Sequence, residues 1–217
     1  RMDPAKRDAA MRIIVFPGSR KGIRDASFPF VKDVFRGVRK EFPDIAVRAL
    51  LFPFAEREEY AHWKDAGLEP TDASSAEAME WADLAVTQPG TNTLELMHRR
   101  VPFLVVAPFS FIPHIPVSGI VNVLRRLPGG ERLVKWSLLR KKRAASFLSW
   151  PNRIAGRDVV REMVGAVTPE DVADALRSLI REPERRNAIR SELARLSALG
   201  GDRASESLAD CIERLME

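Results

Sequence analysis

The sequence predicts an α/β fold: a parallel sheet with helices on both faces, followed by a helical region at the C-terminus. Two observations carry this. Short apolar, β-branched runs alternate with stretches of helical period, the rhythm of βαβ units. Twice, such a run ends abruptly in a proline-glycine turn, at Pro17-Gly18 and Pro89-Gly90, and a helical pattern follows.

The elements follow in order. RIIVF (12–16) is a buried strand that stops at Pro17-Gly18-Ser19-Arg20. Over 27–41, Phe30, Val31, Val34, Phe35 and Val38 recur at helical spacing, and Pro43-Asp44 ends the helix. IAVRALLF (45–52) reads as the next strand, and helices are expected at 57–66 and 76–81. LAVT (84–87) is a strand, 93–99 a helix and FLVVA (103–107) a strand. The stretch 151–157 shows no clear hydrophobic period, a solvated surface loop being the alternative to a ligand-binding segment, and three helix-like stretches lie beyond it. Thr168-Pro169-Glu170-Asp171 marks a helix start: a capping residue, proline at the first position and acids in the first turn. Residues 1–11 form an N-terminal extension or interdomain linker, 12–167 the α/β domain with an insertion at about 112–150, and 168–217 the closing helices.

Composition narrows the function. Hydrophobic residues make up 45% and charged residues 30% of the 217, the balance of a globular chain. The one cysteine, Cys211, falls in a helical pattern with Leu208, Ile212 and Leu215 and reads as a packing residue. His62, His98 and His114 stand far apart in sequence, so no protein-built metal site is expected. The opening RMDPAKRDAA has no secretory character, and no apolar run reaches the roughly 18 residues of a spanning helix. A cytoplasmic protein, peripheral at the inner membrane at most, is the expectation.

The formal charge of +5 is concentrated. Residues 120–150 hold eight Lys or Arg against one acid, Glu131, so they carry +7 and the rest of the chain −2. Basic and apolar residues interleave there. Trp136, Arg140, Lys141, Lys142, Arg143 and Trp150 are accordingly candidates for contact with an anionic membrane. A helical hairpin around Pro128-Gly129-Gly130 that caps the domain is the alternative. No nucleic-acid motif accompanies the basic stripe, so no nucleic-acid partner is expected.

Three segments could carry chemistry. In Pro17-Gly18-Ser19-Arg20, Gly18 would let backbone approach a phosphate, Ser19 could donate to it and Arg20 could clamp an oxyanion. In the second turn, Gly90, Thr91, Asn92 and Thr93 open a helix that presents backbone N–H groups, and Glu95 could accept from ribose hydroxyls. The competing reading makes Thr91 or Asn92 a plain cap and Glu95 its capping-box partner. In the third, Asn152 offers both donor and acceptor to a base or sugar edge, and Arg157 adds a guanidinium.

Taken together, PGSR (17–20), GTNTLE (90–95) and PNRIAGRDVVRE (151–162) resemble, in order, motifs of the C-terminal half of the lipid-A-disaccharide synthase family. The resemblance implies one half of a B-type glycosyltransferase, in which two Rossmann-like domains flank the active site. It implies transfer of 2,3-diacylglucosamine from UDP to the lipid-linked acceptor 2,3-diacylglucosamine 1-phosphate. That transfer inverts the sugar, needs no metal or cofactor and releases UDP. By carry-over, Gly18, Ser19, Arg20 and the turn from Gly90 through Asn92 to Thr93 hold the pyrophosphate, Glu95 the ribose, and Asn152 and Arg157 complete the UDP-diacylglucosamine pocket. The general base and acceptor site belong to the N-terminal half, in the same or a separate chain, so no catalytic residue is assigned here.

Two departures stand out. Lys21-Gly22-Ile23 replaces the acidic residue the family carries soon after GSR, and the stretch from 112 to 150 is long and divergent. The alternatives are another UDP-sugar glycosyltransferase or epimerase of the same fold, and a non-catalytic nucleotide-binding scaffold.

Overall fold

The computed structural model describes residues 10–51, 55–109, 111 and 147–216. In chain order these form β1 (Arg12–Phe16), α1 (Lys21–Arg39), β2 (Ala46–Leu50), α2 (Arg57–Asp65), β3 (Glu69–Thr71), α3 (Ser75–Trp81) and β4 (Leu84–Thr87). They continue with α4 (Asn92–His98), β5 (Phe103–Pro108), α5 (Trp150–Ala155), β6 (Arg161–Gly165), α6 (Pro169–Arg181) and α7 (Pro183–Met216). The strands make one sheet in the order β3-β2-β1-β4-β5-β6, every neighbouring pair parallel. The α/β expectation holds, with helices on both faces.

Alternation along the strands creates the two faces. Ile13 and Val15 point to a core built with Val31, Phe35 and Val38 of α1, Trp63 of α2 and Val172, Leu176 and Leu179 of α6. Ile14 and Phe16 point to the other, with Met79 of α3, Leu96 and Met97 of α4 and Leu193 and Leu196 of α7. Because these strands are buried on both sides, they read as unbroken apolar runs in the sequence.

The chain runs outward from β1 through β2 to β3, then returns past β1 to β4. Consequently α1 leaves β1 toward one face, and α4 leaves β4 toward the other. The carboxyl ends of β1 and β4 lie side by side, and a cleft lined from the ends of β1, β2 and β3 and by Asn92 opens at this edge of the sheet, where open α/β sheets bind ligands.

Several elements differ from the sequence expectation. Helix α1 begins at Lys21 rather than 27, with Arg20 at the N-cap and Ile23 and Arg24 donating backbone N–H groups to its carbonyl. It also runs through Pro29, at an exposed position. An interior proline costs about 3 kcal/mol, which burial of Phe28, Val31, Val34 and Phe35 around it offsets. The edge strands β3 and β6 escape the sequence pattern because each pairs on one side only and needs no continuous apolar run. The stretch 151–157 is mostly helix α5, and the three helix-like stretches after it resolve into two helices, since α7 passes through Gly200-Gly201. Helix α6 starts after Thr168 as expected, and Thr168 and Asp171 form a capping box there. No described helix is long and apolar enough to cross a membrane. Trp136, Arg140, Lys141, Lys142 and Arg143 lie outside the described residues, as does the side chain of Cys211.

Candidate nucleotide site at the sheet switch point

The turn after β1 is braced from behind. Gly18 has φ 117°, and a Cβ there would stand 2.5 Å from Ile23 Cγ2, so glycine is required by backbone and by space. Pro17 O accepts from Ser27 Oγ at 3.0 Å and from Gln88 Nε2 at 2.6 Å. Ser19 O accepts from Arg24 Nη1 at 3.1 Å. The rest of the Arg24 fork grips Glu59 of α2, through Nε to Oε1 and through Nη2 to Oε2 at 2.9 Å. Arg24 and Glu59 are 3% and 7% exposed. Hydrogen bonding to Glu59 outweighs the effect of burial and raises the Arg24 guanidinium above its ordinary pKa. Ser19 and Arg20, by contrast, are exposed.

The second turn meets the first. Gln88 follows β4 directly and ties the two turns together through Pro17 O. Gly90 and Thr91 are exposed, and among the described residues nothing beyond the chain neighbours lies within 4 Å of a Cβ built on Gly90. Thr93 is fully buried; its hydroxyl donates to Gly90 O at 2.8 Å and accepts from the Trp150 backbone N–H at 3.2 Å. Thr91, the N-cap of α4, makes no side-chain cap bond, so the capping box with Glu95 does not form. Glu95 instead accepts from Ser75 Oγ at 2.7 Å, which fixes its carboxylate between α3 and α4.

A cleft of about 340 Å3 lies over these turns. Phe16, Leu50 and Leu51 give it apolar surface, while Ser19, Asp72, Ser75 and Asn92 give it polar groups. Gly18, Ser19 and Asn92 thus share one cleft.

Arg20, Gly90, Thr91, Thr93, Glu95, Asn152 and Arg157 are not among the residues that line it, and for Asn152 the structure corrects the reading made from sequence. Asn152 is fully buried on α5 and has no capacity left for a sugar or base. Its Nδ2 donates to Val160 O at 2.8 Å and Glu162 Oε1 at 2.9 Å, while Oδ1 accepts from Val159 N at 2.8 Å and Val160 N at 2.9 Å. Glu162 in turn accepts from the backbone N–H groups of Leu148 and Ser149 and from Ser149 Oγ at 2.6 Å. Gly156 is the left-handed C-cap of α5, at φ 65°. Arg157 pairs with Glu192 on α7. The segment is a polar staple that fastens α5 to β6. Trp150 is 40% exposed at its start, with the Arg153 guanidinium 5.6 Å from its ring centre.

Residues 4–129, which include both turns, match the family model described as lipid-A-disaccharide synthetase. The chain belongs to this family. Among curated members, the lipid-A-disaccharide synthase of Pectobacterium carotovorum subsp. carotovorum (strain PC1) is 26% identical over 215 residues, covering 94% of this chain and 49% of the relative. That of Enterobacter sp. (strain 638) is also 26% identical, over 94% of this chain and 50% of its own. The chain therefore spans about half the length of the curated relatives it matches. A solved structure, the glycotransferase of kitacinnamycin, aligns with 99% of this chain and 44% of its own at 22% identity, with a TM-score of 0.45.

The site owes its shape to residues the sequence does not single out: Arg24, Ser27, Glu59, Ser75 and Gln88. Glu59 stands 35 positions from Arg24, and nothing in the local pattern of either marks a buried pair. The glutamine next to Pro89-Gly90 is the one local signal, a polar side chain directly after an apolar strand.

Proposed function

We propose that this chain is the nucleotide-sugar-binding part of a glycosyltransferase that takes a UDP-linked 2,3-diacylglucosamine donor and a 2,3-diacylglucosamine 1-phosphate acceptor. The observation that carries the reading is the meeting of the Pro17–Arg20 and Gln88–Asn92 turns at the switch point, joined through Gln88 and Pro17. In this reading the pyrophosphate lies against the Gly18–Arg20 backbone, with the Arg20 guanidinium as counter-charge. Glu95, oriented by Ser75, receives the ribose hydroxyls. With no metal in the scheme, the negative charge that develops on departing UDP is met by fixed N–H dipoles and by arginine, which need little reorganisation as the bond breaks. The base that deprotonates the acceptor hydroxyl comes from the other half of the enzyme, and the sugar inverts. The basic stretch from 120 to 150 would hold this half against an anionic membrane surface, where both lipid substrates reside.

Isothermal titration of UDP tests the reading, with the parent chain beside an Arg20→Ala, Glu95→Ala double variant. The parent should bind saturably. The variant should bind at least about tenfold more weakly, the scale of a lost charge-assisted hydrogen bond, and stay folded, with no more stability lost than the Ser75–Glu95 bond supplies, about 1 kcal/mol. A parent chain that gives no saturable heat at millimolar UDP overturns the proposal.

A further inference from the structure

The pair formed by Arg24 and Glu59 is out of place as a packing device. Two charges are withdrawn from water between α1 and α2, with 4% and 5% of their side-chain surface exposed. Burying charges is expensive, and apolar residues of similar volume commonly serve stability as well or better. What an apolar pair could not do is hold a backbone carbonyl. Arg24 uses two of its nitrogens on Glu59, which fixes the plane of the guanidinium, and spends a third on Ser19 O.

That bond determines the orientation of a peptide. No described peptide is cis, and in a trans peptide the C=O and the following N–H point in opposite directions. Ser27 and Gln88 draw the Pro17 carbonyl inward, which turns the Gly18 N–H the other way. Arg24 draws the Ser19 carbonyl inward, which turns the Arg20 N–H the other way. Gly18 and Ser19 line the cleft, so two pinned carbonyls bracket the surface a diphosphate would touch. Were the second pin lost, the Ser19–Arg20 peptide could rotate and offer the ligand a carbonyl oxygen, which repels phosphate.

We propose that Arg24, aligned by Glu59, is a positioning residue that presets the Pro17–Arg20 turn for the diphosphate of the donor. This rests on the nucleotide reading above. Lysine cannot substitute, because one ammonium lacks the planar fork needed to satisfy the carboxylate and the carbonyl together.

The test compares UDP with uridine, on the parent chain, Arg24→Lys, and Arg24→Met combined with Glu59→Leu, with thermal unfolding in parallel. Arg24→Lys should weaken UDP about tenfold and leave uridine within a factor of about two. The apolar double variant should unfold no earlier than the parent and lose UDP affinity to the same extent. Equal weakening of uridine and UDP by Arg24→Lys would mean general damage and overturn the inference. Parent-like UDP affinity in either folded variant overturns it as well. If the double variant does not fold, Arg24→Lys alone decides by the same ratio. A parent that binds uridine and UDP equally well leaves the diphosphate without a receiver and sinks the inference, while the nucleoside part of the reading stands. A parent that binds neither overturns both.

Discussion

The turn at residues 17–20 and the segment at 151–162 look alike in sequence, each a short cluster of proline, glycine, arginine and a small polar side chain. In the structure they divide the labour. At the first, the polar side chains work from behind: Ser27, Gln88 and Arg24 hold carbonyls, and the turn keeps an exposed front at Ser19 and Arg20. At the second, the distinctive polar side chains are consumed internally, with Asn152 in four hydrogen bonds and Glu162 closing the turn before α5. Similar residue types thus serve an exposed turn in one place and an internal brace in the other.

The sharpest way to break this contrast is Asn152→Ala. It strands the N–H and carbonyl of Val160 in a buried site and the N–H of Val159 at its half-buried margin. At about 1–3 kcal/mol for each unsatisfied group, the loss of stability should be about 3 kcal/mol or more, read from urea unfolding. UDP affinity of the protein that remains folded should match the parent; a selective loss of affinity with stability intact would return Asn152 to the ligand.

Thr93→Val probes the joint between the two regions, since the hydroxyl of Thr93 bonds both the Gly90 carbonyl and the start of α5. Removing it should cost about 1–2 kcal/mol in unfolding and weaken UDP by a few-fold, because the turn loses one of its internal ties. Unchanged values for both would show that the regions are mechanically independent.

The smallest effect is expected from Arg157→Ala. Its partnership with Glu192 is a surface ion pair, of a class that contributes little in water. Neither the unfolding midpoint nor the UDP affinity should move measurably. A tenfold loss of affinity would mean that Arg157 leaves Glu192 to reach the donor.

The sequence by itself determined the layer architecture and the position of the two turns. Strands buried on both faces must be apolar throughout, helices between them must show a stripe, and a chain that turns sharply after a strand needs proline, glycine or both. Those constraints act on neighbouring residues, so RIIVF, LAVT and FLVVA were legible, as was the helix start at Thr168. Family membership was legible for the same reason, since short motifs survive in order. The edge strands, the early start of α1 and the continuity of α7 were not, because single-sided pairing and tertiary burial override local pattern. The tertiary structure alone decided the roles of the polar side chains. Whether a carboxylate, amide or guanidinium faces a ligand or another part of the chain depends on partners tens of residues away. Arg24 meets Glu59 across 35 positions, Gln88 meets Pro17 across 71, and Asn152 closes on a strand that forms only at the edge of a finished sheet.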